Sequence, residues 1–117
     1  MFLLSESEVH HTGTAAKYGF AKTDSIDDEA RRSRCSTYAY AMGIWKCKSI
    51  FPSYKKYNGN IGWWLRSPGG NSSSAAEVHN YGWVYWLGDN VDNIGDGVRP
   101  ALHLNLSSSN LYSYAGT

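Results

Sequence analysis

The chain has 117 residues, 42% hydrophobic and 18% charged, the composition of one globular domain that buries a core with little margin. Its net charge of +1 gives no electrostatic footprint for nucleic acid or an anionic membrane, and no apolar run is long enough to insert into a bilayer. Aromatic residues reach 15%, with nine Tyr and five Trp, more than a small core holds. Surface Tyr and Trp offer large contact area with few rotors to freeze, which points to binding.

Phe2-Leu3-Leu4 is too short for a signal-peptide core and reads as a buried strand. Ser5 to Glu8 fits a capping box, so a short helix begins there and ends before Gly13. His10 and His11 sit on its exposed end, and adjacent helical His side chains diverge. Thr12 to Ser25 reads as loop. Ser25 is placed to cap a helix over Ile26 to Arg34, where Asp27, Asp28 and Glu29 precede Arg31, Arg32 and Arg34 as paired, solvated charges. Thr37 is placed to cap a third helix, Tyr38 to Met42, stopped by Gly43. Cys35 and Cys47 have no metal spacing and read as free thiols. Ile44 to Phe51 has no clear period, and Ser53 to Asn60 reads as a loop with an Asn-Gly turn.

The chain is organised around residues 62–106, which hold four of the five Trp. Trp63 to Arg66 starts a strand, and Ser67 to Ser74 is a polar loop. Ala75 to His79 and Trp83 to Leu87 pair as a hairpin about Asn80 to Gly82. Gly88-Asp89-Asn90 turns again, Val91 starts a brief strand, and Val98 to Leu104 is the last long strand. The two-residue period puts Ala76, Val78 and Val84 on a core face. Trp83 and Tyr85 lie on the opposite face beside Glu77 and His79, and Trp86 is partly buried. Trp63, Val78, Val84, Val98, Ala101 and Leu102 are the expected core of this sheet. The domain spans 1–106, and 107–117 is a Ser-rich tail expected to fray.

There is no GxSxG elbow and no HExxH, and no catalytic residue is assigned; the chain reads as a non-enzyme. Asp89, Asn90, Asp92, Asn93 and Asp96 are hard oxygen donors, but they lack the EF-hand's spacing and closing Glu. They read as a polar turn series rather than a metal site, and no cofactor is expected. Arg66 and Arg99 admit an anion-binding reading. The structural one is favoured: guanidiniums that satisfy carbonyls or stack on Trp. His79, Asn80, Tyr81, Trp83, Tyr85, Asp89, Asn90, Asp92 and Asn93 form the candidate ligand-binding set. Trp63, Trp64, Arg66, Val98, Arg99 and Pro100 form a framework.

FLLS with ESEV, ARRSRCSTYAYAMG, WWLRSPG, AAEVHNYGWV and GVRPAL resemble a bacterial family of unknown function, frequent in gut Firmicutes and their phages. The last third also resembles the C-type-lectin-like fold, with its formylglycine-generating-enzyme-like and major-tropism-determinant-like branches. The resemblance implies an α+β fold: a small twisted antiparallel sheet, short helices and long irregular loops. The oxidase branch needs a Cys pair near the end of the fold, and Cys35 and Cys47 precede the Trp pair, so fold carries over without that activity. Calcium-binding C-type lectins use loop carboxylates and Asn in this region, which keeps Ca2+ as an alternative at Asp89 to Asp96. In retroelement-diversified relatives the variable positions lie in the matching segment. The family has further sequence before FLLS, so the resemblance implies the C-terminal part of a larger domain, a natural minimal version or a truncated gene; a missing piece would leave an open edge or an uncovered apolar face, and self-association is the expected remedy. The functional expectation is a module recognising a protein or carbohydrate ligand through 79–93, in a cell-surface, secreted or phage-particle setting. The alternative is a structural or accessory module of a larger surface or phage protein, with self-association as its main contact.

Overall fold

A computed structural model describes residues 1–10, 20, 29–105 and 107. The elements are α1 (Glu6–Val9), a 3-10 turn (Glu29–Arg31), β1 (Ser33–Arg34), α2 (Thr37–Ala41), a 3-10 helix (Pro52–Tyr57), β2 (Asn60–Ile61), β3 (Trp63–Pro68), β4 (Ser74–Val78) and β5 (Val84–Asn90). They make a small α+β domain with two antiparallel sheets, β1-β2 and β3-β4-β5.

The start of the chain forms as its residues dictate. The capping box at Ser5 is present, with the Ser5 backbone N–H donating to Glu8 Oε2 at 2.6 Å. Phe2 pairs with Ala101 in an isolated bridge, and the Leu4 carbonyl accepts from the Arg66 N–H. α2 is capped one residue earlier than expected, by Ser36, whose Oγ accepts from the Ala39 N–H.

The hairpin register matches the two-residue period. Val78 faces Val84 and Glu77 faces Tyr85 across β4-β5, while Trp63 faces Val78 and Trp64 faces Glu77 across β3-β4. One face therefore carries Trp63, Leu65, Ala76, Val78 and Val84, which pack with Leu4, Val9 and Phe20 into the core.

Several expectations are corrected. Val98 to Leu104 is not a strand: residues 97–101 are irregular, and their ladder pairing among the described residues is limited to the Trp63–Gly97 and Phe2–Ala101 bridges. Val98 and Leu102 are 65% and 63% exposed and leave the core, and only Ala101 packs against it. Trp86 is 56% exposed, because the strand twists out of register beyond Tyr85. Gly88 to Asn90 belongs to β5 rather than to a turn, and Val91 starts no strand. Within 53–60 most residues are helical. No helix runs over 29–34, where a 3-10 turn gives way to β1. The readings for His11, the 12–19 loop, the Ser25 cap and the tail beyond Ser107 fall outside the described residues.

Arg31 is not solvated. It is fully buried, and its Nε donates to the Gly82 carbonyl at 2.6 Å while Nη1 donates to the Val9 carbonyl. Arg32 Nε reaches the Tyr81 carbonyl at 3.1 Å. Two arginines thus hold the hairpin tip by its main chain. Trp63 closes the same knot: its indole N–H donates to the Arg31 carbonyl at 2.9 Å. Cys35 and Cys47 are free.

Candidate functional site

The face of the hairpin opposite the core carries Glu77 of β4 and Tyr85 of β5, with His79, Tyr81 and Trp83 from the connection between the strands. Hydrogen bonds from the His79 N–H to the Trp83 carbonyl and from the Gly82 N–H to the His79 carbonyl close the tip. The rings then gather around His79. Its centroid lies 5.3 Å from Trp83, 5.2 Å from Tyr85 and 5.5 Å from Tyr81. Trp83 stacks on Tyr85 at 5.3 Å, and Tyr81 continues the row to Tyr57 at 5.8 Å. Arg32 covers the far side of Tyr57. His79 and the three rings around it are half-buried, and Tyr57 is buried, so the row is not splayed into solvent.

Beneath this row lies an acidic cleft of about 300 Å3 lined by Trp45, Gly62, Glu77, His79, Asn80, Asp89 and Asp96. Three parts of the chain build it. β4 supplies Glu77, only 6% exposed. Residues 95–97 run beside β3, with the Gly97 N–H donating to the Gly62 carbonyl and the Trp64 N–H donating to the Gly97 carbonyl. This lays Asp96 over Gly62, where a Cβ would sit 2.5 Å from Asp96 Oδ1 and would displace the carboxylate. β5 supplies Asp89 through a register shift. Between Glu77–Tyr85 and Ala75–Asp89 the two strands advance unequally, and Gly88, at φ +68°, lies against the Ala75 carbonyl. The bulge turns Asp89 back towards the cleft.

One ligand atom from each of Glu77, Asp89 and Asp96 lies within 4.8 Å of the others. Asp89 is held by the Asn90 N–H at 2.7 Å and Asn93 Nδ2 at 2.6 Å. Glu77 Oε2, Asp96 Oδ2 and His79 Nε2 are buried without a hydrogen-bond partner among the described residues. Burial pushes the Glu77 carboxyl up to about 9, reinforced by Asp96 and Asp89. Burial also lowers the His79 imidazole, against the pull of Asp96 and Asp89. The Glu77 Oε1 to His79 Nε2 contact at 3.4 Å is therefore one between neutral groups at neutral pH, not an ion pair. Such a pocket can take up a proton or a cation, or accept hydrogen bonds from a ligand's donors.

Of the nine candidate ligand residues, His79, Tyr81, Trp83 and Tyr85 come together as rings, and Asn80 and Asp89 line the cleft. Asn90 and Asp92 are exposed and stand apart from the cleft lining. Asn93 is a brace, holding Asp89 and accepting from the Gly95 N–H. The framework arginines satisfy carbonyls. Arg66 donates to Leu3 O and pairs with Glu8 at 2.9 Å; Arg99 donates to Ala30 O and lies 5.0 Å from the Trp63 ring. Trp64 is half-buried on the Glu77 side, while Val98 and Pro100 are exposed. Sequence reasoning missed Glu77 and Trp45. Glu77's alternation with Ala76 and Val78 marked it as outward, and only the long-range arrival of Asp96 buries it.

The architecture defines a small α+β domain whose sheet is apolar on one face and aromatic and acidic on the other. The chain belongs to the DUF6273 family, described as a domain of unknown function, whose model matches residues 1–106. No curated protein and no solved structure matches the chain. Among the described residues no helix is long and apolar enough to cross a membrane.

Proposed function

We propose that the domain is a non-enzymatic binding module that recognises a protein or glycan ligand through the surface formed by the hairpin and loop over 79–93. The ring cluster about His79 carries this reading. Four aromatic side chains with centroids 5.2–5.5 Å apart form a pre-ordered platform, and rigid rings bind at low entropic cost. The main-chain grip of Arg31 and Arg32 on the tip supports it, because the platform's position then rests on the scaffold. The C-type-lectin-like architecture belongs to the same reading and draws on the WWLRSP and GVRPAL resemblance, as does a bacterial-surface or phage setting with diversified display positions.

The test is a glycan and protein array on the purified chain, repeated with Tyr81→Ala, Trp83→Ala and Asn90→Ala combined. The variant should keep its fold, with a melting point lowered by no more than several degrees, and lose every hit. An unfolded variant, or one that keeps its hits, refutes the platform.

A second reading has its own support. Tyr38, Met42 and Val98 are exposed and line one shallow groove, and Ile50, Phe51 and Leu102 are exposed as well; contiguous apolar surface marks contact sites. Self-association of a structural module would cover them. Light scattering across a concentration series separates the two: a monomer at high micromolar concentration removes this reading.

A further inference from the structure

We propose that Glu77, Asp89 and Asp96 bind a hard divalent cation in the cleft beneath the ring cluster, with His79 as its wall. The inference does not depend on the ligand-binding reading above.

Three independent observations converge. The carboxylates come from β4, from the bulge in β5 and from the segment beside β3, yet their ligand atoms lie within 4.8 Å of one another. Oxygens bonded to one Ca2+ at about 2.4 Å lie no more than about 4.8 Å apart, so the three groups are already close enough to share one such ion. Next, the site is furnished rather than merely acidic. Glu77 is more than nine-tenths buried and lines the cleft, and among the described residues neither its Oε2 nor Asp96 Oδ2 has a hydrogen-bond partner. Buried carboxyl oxygens are ordinarily satisfied, and a cation that displaces the Glu77 proton would satisfy Glu77 and Asp96 together while bonding Asp89. Finally, the scaffold is shaped for the approach. Gly62 makes room for Asp96, and Gly88 lets β5 pass against Ala75 so that Asp89 turns inward. Asn93 braces Asp89 from behind at 2.6 Å, the outer support that orients a ligand carboxylate.

The donor set selects the class of metal. Carboxylates favour Ca2+, Mg2+ and Mn2+; Zn2+ prefers imidazole and thiolate. His79 offers one nitrogen, and neither Cys35 nor Cys47 lines the cleft. A bound cation would tie segment 89–96 to β4 and fix the wall on which the rings of His79 and Trp83 rest.

The experiment uses the full chain after chelation and dialysis. CaCl2, MgCl2, MnCl2 and ZnCl2 are titrated separately while the melting point is followed. At about one hundred times the dissociation constant, a specific cation should raise the melting point by roughly 10–20 °C. Glu77→Gln and Asp96→Asn should each abolish the shift, and Asp92→Asn, altering an exposed carboxylate outside the cleft, should keep it. If one cleft variant fails to fold, the other still decides the matter, and isothermal titration with the same salts reads binding without melting. A shift with Zn2+ alone overturns the proposal. So does no shift with any salt, a shift kept in both cleft variants, or one lost equally in Asp92→Asn.

Discussion

Trp63→Phe tests the knot on which the site is built. Trp63 is 0% exposed and sits in the cluster of Leu4, Val9, Phe20, Leu65, Ala76, Val78 and Val84. Its indole N–H meets the Arg31 carbonyl at 2.9 Å, and the Arg99 guanidinium lies 5.0 Å from its ring. Phenylalanine keeps most of the packing but removes the donor. A buried acceptor left unpaired costs about 1–3 kcal/mol, and the void left by the smaller ring adds about 1 kcal/mol. The sum, about 2–4 kcal/mol, lowers the melting point by roughly 10–25 °C in a domain of this size. Trp63→Ala adds the loss of the ring itself, about 3–5 kcal/mol, which approaches the whole stability of a small domain. Thermal and guanidinium unfolding followed by circular dichroism measure both variants. If Trp63→Phe melts within about 2 °C of the parent, the indole bond to Arg31 contributes nothing and the knot is not the anchor described here.

Gly88→Ala should be severe. A Cβ there would fall 1.7 Å from the Ala75 carbonyl oxygen at a φ of +68°, so about 3 kcal/mol or more is expected in chemical denaturation. In chelator-treated protein, stability should fall as pH rises from about 7 towards 9; below that the lowered His79 imidazole, whose proton the unfolded chain holds more tightly, works in the opposite direction. The unfolded chain releases the Glu77 proton near 4.5 while the folded one keeps it to about 9, and a proton held only by the folded state is lost to rising pH. Glu77→Gln should flatten that slope in urea titrations across the range, and an unchanged slope would disprove the buried protonated carboxyl.

Local patterns in the chain foretold local structure. The capping box at Ser5, the hairpin about Gly82 and the core side of Val78 and Val84 each depend on residues a few positions apart, where period and turn chemistry decide. Features made by distant segments were not legible. Arg31 carries the composition of a solvated charge run, and only its contact with the Gly82 and Val9 carbonyls makes it core. Val98 to Leu104 alternates like a strand, yet its one ladder contact among the described residues is the isolated Phe2–Ala101 bridge, so it stays irregular. Glu77 looked displayed until Asp96 arrived over Gly62. The ring set was legible as side chains on one face; that His79 stands at its centre was not, because ring orientation is decided by packing.

The interactions that finish this domain are uneven in their span along the chain, and this sets an order of assembly. The β4-β5 hairpin closes over a handful of residues, whereas Arg31 meets Gly82 across 51, Arg66 meets Leu3 across 63 and Arg99 meets Ala30 across 69. Closing long loops delays such contacts and slows folding. The hairpin that carries the rings would therefore form first and wait for the arginines, which act as late latches. Amide exchange should show the same hierarchy in reverse: the irregular 95–101 segment opens readily, while the centre of β4 opens only with the whole molecule.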